Sequence, residues 1–215
     1  PDISKNSRNN IINTLFKTDG DSNLELNHCL KESKIGQTLL EHINDWIKYI
    51  FDVDEKIAVS ESSYGKYVLY LGDDLLNNVG SGISQALPII INIIIGEKKS
   101  IFLEEVEQNL HASAQAKIAD MIMFFSLYDR KFIVETHSEH ILNRMRLRKI
   151  QIDKNISSKN LFNLYFVSST KETGSVAEKI EVNSKGQFEE SKLNSGFFDQ
   201  SQLDTLKILK EIQDL

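Results

Sequence analysis

The chain has 215 residues, of which 40% are hydrophobic and 26% charged, with a net charge of −6. That apolar content suffices for one good core and excludes a disordered chain, while the acidic balance excludes a global electrostatic grip on nucleic acid. The single cysteine, Cys29, rules out an intrachain disulfide framework and agrees with a reducing, cytoplasmic setting; the longest apolar stretch, Ala86 to Ile95, contains Asn92 and falls well short of a membrane span.

In chain order, residues 7 to 17 and 33 to 51 carry helix-spaced apolar positions, the second with Leu39, Leu40, Ile43, Trp46, Ile47 and Ile50, and residues 1–54 read as a helical insertion. Lys56 to Ser60 and Lys66 to Leu71 predict a hairpin turning through Ser62, Ser63, Tyr64 and Gly65. After the loop Gly80-Ser81-Gly82, a helix is expected from an N-cap at Ser84 to Ile95, with Pro88 early enough for its missing N–H to cost little. A buried strand over 100 to 105, a helix from Ser113 to Leu127, a strand over 131 to 135 and a helix from Ser138 to Leu147 follow. The order α-β-α-β-α predicts an α/β lobe with a layered parallel sheet over 55–215. The runs Leu161 to Val167 and Val176 to Val182 are expected to extend that sheet, and Gln202 to Ile212 to close it with a helix.

The run Ser100-Ile101-Phe102-Leu103 ends in two adjacent acids, Glu104 and Glu105, and the next strand ends in Glu135-Thr136-His137. Neighbouring parallel strands would deliver both ends to the carboxyl edge of the sheet, where open α/β folds bind ligands. Two acids at a strand end suit a division of labour in which one holds hydrated Mg²⁺ and the other orients or deprotonates a water attacking a γ-phosphate. Their bland reading is a solvated strand exit, and that of His137 is a packing residue bonded to backbone. The segment Asn78-Val79-Gly80-Ser81-Gly82-Ile83-Ser84-Gln85 joins small residues to a helix N-terminus and so can receive an anion, although it also fits an ordinary turn. His137 and His140, with Glu104, Glu105 and His111, form an alternative transition-metal set, and Arg144, Arg146, Arg148 and Lys149 read as favourable charge at a helix end on a solvated face, with contact to nucleic-acid phosphates the lesser alternative.

The succession Leu103-Glu104-Glu105-Val106-Glu107, Leu110-His111-Ala112 and Gln115, followed by Thr136-His137-Ser138, resembles the C-terminal half of an ABC-type ATPase head. It is similar to the prokaryotic branch that includes the overcoming-lysogenisation-defect proteins and the predicted ATPases of anti-phage defence, with SMC-like heads as wider kin. It departs from that branch at Val106 and Ala112, where proline is usual. The tail Ser195-Gly196-Phe197-Phe198-Asp199 resembles the ending of one group of these ATPases. The resemblance implies that Gly80, Ser81, Gly82, Ser84 and Gln85 form a signature loop reaching the γ-phosphate of ATP held by a partner subunit, hence a homodimer. It further implies that Glu104 binds Mg²⁺, Glu105 is the catalytic base, Asn109 to His111 form the D-loop, and His137 is a switch histidine. An effector nuclease is the partner it implies.

A P-loop needs G-x-x-x-x-G-K-[ST], so that backbone amides and a lysine can cradle phosphates. The pair Gly65-Lys66 has Ser60 and Tyr67 at the other motif positions and lies in the expected hairpin. Because the chain opens on Pro1, the Walker A lobe is expected upstream in a longer protein, and this polypeptide alone is expected to bind ATP poorly. The competing readings are a nucleotide-dependent or degenerate scaffold with little turnover, and a self-contained metal-dependent nuclease, which the segment after Val167 does not favour.

Overall fold

The computed structural model describes residues 38–61, 66–95, 100–127, 130–153, 162–170, 174–183 and 185–188. The chain divides into two compact units, Pro1–Ser157 and Ser158–Leu215. The expected helices over 7 to 17 and Gln202 to Ile212, and the tail motif Ser195 to Asp199, lie outside the described residues.

The first described helix, α1 (Leu39–Phe51), starts later than the apolar spacing suggests, because Thr38 is extended and caps it. Thr38 and Glu41 form a reciprocal capping box, and Asp52 ends the helix in the left-handed region at φ 59°. Ile43, Trp46, Ile47, Tyr49 and Ile50 are its buried stripe. Strands β1 (Ile57–Glu61) and β2 (Tyr67–Leu71) pair antiparallel as expected, and β3 (Asp74–Leu75) adds a short third strand. Lys66 thus leads into a strand, without the helix N-terminus that a P-loop requires.

Helix α2 (Ser81–Ile95) begins three residues before the expected N-cap. Ser84 lies inside its first turn, where its hydroxyl donates to the Ser81 carbonyl at 3.1 Å. Pro88 is therefore an interior residue, and its ring leaves the Ser84 carbonyl without the usual helical donor. The helix tolerates this because Ile83, Ala86, Leu87, Ile90, Ile93 and Ile94 are buried on one side.

Strands β4 (Ser100–Glu104) and β5 (Lys131–Glu135) pair in parallel, with Glu104 opposite Glu135 in register. The expected burial of these strands is corrected on one face. Leu103 is buried, and Ile101, Phe132 and Val134 are half-buried, whereas Phe102 and Ile133 are 69% and 56% exposed. Between the strands runs α3 (Ala112–Ser126), with an unbroken buried run from Ile118 to Phe125; α4 (Glu139–Asp153) packs along it, as does α1. A helix buried all round is the centre of a core. Trp46 is fully buried there, 5.8 Å from the rings of Tyr49, Phe124 and Phe125.

Helix α4 continues to Asp153, which places the basic cluster in its middle, away from the expected C-terminal position, and the solvated-face reading is overturned. Asp120 of α3 is fully buried; it accepts from Arg148 Nε at 2.7 Å, Arg144 Nη1 at 3.2 Å and Tyr49 Oη at 2.7 Å. Burial and the Asp120 carboxylate push the Tyr49 phenol far above its ordinary pKa, so it remains a donor.

In the second unit, β6 (Leu164–Thr170) and β7 (Gly174–Ile180) pair antiparallel with one another from Leu164 opposite Ile180 to Thr170 opposite Gly174. Among the described residues they form a two-stranded sheet. Among the described residues the strands thus form a mixed α/β arrangement of one parallel pair and two antiparallel sheets. No helix among them is long and apolar enough to cross a membrane.

Candidate functional site at the carboxyl edge of the parallel strands

β4 ends at Glu104, and the next residue turns sharply because Glu105 sits at φ 45°, a left-handed conformation uncommon outside glycine, asparagine and aspartate. The Glu105 N–H still donates to the Glu135 carbonyl at 3.1 Å, so the sheet bonding runs one residue past the strand. Consecutive turns follow, with Gln108 N–H to Glu105 O at 3.0 Å and Leu110 N–H to Glu107 O at 3.1 Å. Val106, buried to 2%, anchors the turn where the resembling branch has proline. Asn109 is the second left-handed residue, at φ 58°.

Glu104 and Glu105 are both exposed, and the Glu105 carboxylate accepts from the Gln108 side-chain amide. Glu104 and Glu135, cross-strand partners on one face, offer hard oxygen donors of the kind Mg²⁺ takes. Magnesium usually keeps several waters and one or two carboxylates alongside phosphate oxygens, so this pair fits a phosphate-bound ion and would be a poor cage for a bare one. Among the described residues, no three His, Cys, Asp or Glu side chains gather into a metal-ligand set, so the transition-metal alternative through His111, His137 and His140 is not assembled.

The small-residue loop meets this turn from the other side. A Cβ at Gly82 would stand 2.8 Å from the Asn109 carbonyl oxygen, so only glycine permits the close approach. Gln85 Oε1 accepts from Asn109 Nδ2 at 2.7 Å. Gly80 precedes the helix with open space around its α-carbon, while Ser81 and Gly82 are its first two residues, so their amides belong to the turn whose N–H groups lack helical partners. That is the arrangement for receiving an anion.

His111, exposed, is the N-cap residue of α3 and makes no side-chain cap bond. His137, exposed, lies between β5 and α4. Its neighbour Ser138 caps α4, accepting from Ile141 N–H at 3.2 Å, and donates its hydroxyl proton to Gln115 Oε1 at 2.5 Å. Gln115 Nε2 donates to the Leu110 carbonyl at 2.8 Å. Glu107, Gln115, Thr136 and Ser138 all lie in the sequence motifs, whose spacing gives no sign that they bond to one another. Here they form the scaffold that joins the turn to the loop carrying His137, while Asn109 bonds Gln85 at the start of α2.

A helix N-terminus facing a turn at the carboxyl edge of parallel strands, with adjacent acids and a histidine loop beside it, defines a mixed α/β site compatible with a P-loop nucleoside-triphosphatase type of fold. The model of the AAA ATPase domain matches residues 2–142, and the chain belongs to that family. No curated protein matches the chain. Family membership implies nucleotide binding, usually with Mg²⁺.

Proposed function

We infer that this chain supplies one side of an ATP-hydrolysing site of ABC type that works between two subunits. The observation that carries this reading is the packing of Gly82 and Gln85 against Asn109, in a turn that begins with Glu104 and Glu105. This contact supports the reading by setting the start of α2 against the turn that follows the two acids. In this reading Glu104 orients the hydrated cation, Glu105 accepts the proton of the attacking water, His137 contacts the γ-phosphate, and the amides of Ser81 and Gly82 receive the phosphate held by the other subunit. Mg²⁺, when bound, supplies neutralisation of the phosphate charge.

The activity is best matched to control of an effector nuclease in phage defence, a reading supported by the motif resemblance alone. A nucleotide-held scaffold with slow turnover is the second reading, favoured by the capture of the Glu105 carboxylate by Gln108. One experiment separates them: phosphate release and Mg-ATP binding by the native gene product, wild type and Glu105→Gln. Loss of release with ATP retained supports the enzyme; equal slow release from both proteins supports the scaffold, and absence of Mg-ATP binding sinks both.

A further inference from the structure

Of the acids around the β4 turn, Glu107 reaches across to the β5 exit. Its Oε1 accepts from the His137 backbone N–H at 2.5 Å, and its Oε2 accepts from the Thr136 hydroxyl at 2.7 Å. Thr136 Oγ1 in turn accepts from the Ser138 N–H at 3.0 Å. From Ser138 the bonds run through Gln115 to the Leu110 carbonyl, three residues beyond Glu107. The circuit therefore closes on the turn from which it started, and each polar side chain in it has a defined donor or acceptor role.

We propose that Glu107 is a positioning residue that fixes the His137 backbone to the Glu104–Glu105 turn, so that the acids and the histidine hold one mutual geometry. The chemistry calls for a carboxylate. Both groups facing Glu107 are donors, and an ionised acid offers each its own oxygen in a charge-assisted bond. Glutamine has a single acceptor oxygen, so it can hold the His137 N–H only if the Thr136 hydroxyl turns from donor to acceptor for the amide NH₂, and both bonds lose the charge assistance of the carboxylate. Backbone capture also explains how His137 keeps its side chain exposed while its main chain is held. The catalytic consequence rests on the proposed role of His137; the tether itself does not.

The test uses the native gene product with Glu107→Gln and, as a milder change, Thr136→Val, which removes one of the two bonds. The His137 amide proton, followed by NMR on selectively labelled protein, is expected to move upfield in Glu107→Gln and to keep most of its shift in Thr136→Val. Turnover of Mg-ATP should fall about tenfold in Glu107→Gln with KM nearly unchanged, the split expected when alignment of the reacting groups is lost and nucleotide binding is kept. An unmoved His137 amide overturns the tether. A moved amide with unchanged kcat overturns its part in catalysis. Failure of the wild type to hydrolyse ATP would instead defeat the proposed function, and the amide shift would still decide whether Glu107 holds the loop.

Discussion

Arg148 lays the edge of its guanidinium on Asp120, Nε to Oδ1 at 2.7 Å and Nη2 to Oδ2 at 3.1 Å, inside the helical core. Two parallel bonds to a fully buried carboxylate make this a fixed joint between α3 and α4, with the Tyr49 hydroxyl bringing in α1. Buried pairs are strongly destabilising when one member is removed, because the survivor is left as an uncompensated charge.

Asp120→Ala is accordingly expected to cost about 3–5 kcal/mol in denaturant unfolding. The double replacement Asp120→Leu with Arg148→Met should cost less than Asp120→Ala, since Arg144 is 28% exposed and can turn toward water. If the single variant unfolds like wild type, the joint does not carry the helical packing.

Gly80 and Gly82 look equivalent in sequence and differ in space. Gly82→Ala drives a methyl group toward the Asn109 carbonyl and should cost about 1–3 kcal/mol, whereas Gly80→Ala meets open space and should leave the melting temperature nearly unchanged. Calorimetry of the two variants checks this, and equal melting temperatures would contradict it.

His42, half-buried on α1 with its ring 6.3 Å from that of Phe125, has its pKa lowered, first by burial and then by Arg130, with Asp45 pulling the other way. The folded pKa lies below the ordinary value near 6.5, so the unfolded chain binds more protons as pH falls through that value. The stability contributed by neutral His42 is full above the unfolded pKa and declines toward the folded one. Melting temperature should therefore drop as pH falls through the ordinary histidine value near 6.5, and less steeply in His42→Gln.

Glu105 holds a left-handed backbone that an unstrained site would assign to glycine. Glu105→Gly is expected to raise stability by up to about 1 kcal/mol while removing the proposed base and with it ATP turnover. A lower melting temperature in this variant would show that the Glu105–Gln108 contact outweighs the strain.

The parts legible in sequence are those with local causes. The β5 bounds and the parallel edge carrying Glu104, Glu105 and His137 follow from short apolar runs that end in acids. The start of α2 is not legible, because Gly80-Ser81-Gly82 reads equally as loop, and the close approach to Asn109 that favours helix there involves a residue distant in sequence. Asp120 is not legible for a related reason: an isolated acid in an apolar helix has no local signature, and its partners Tyr49 and Arg148 are 71 and 28 positions away. The runs that become β6 and β7 are legible as strands, but apolar alternation does not say which strand each will pair with.

Trp46 is the only tryptophan in the chain, and among the described residues the rings packed around it, those of Tyr49, Phe124 and Phe125, belong to α1 and α3. Its fluorescence is therefore an intrinsic optical gauge of how α1 sits on α3. Emission that stayed constant on adding nucleotide would mean that events at the acids are confined to their own turn, and a spectral change would mean that the helices themselves respond.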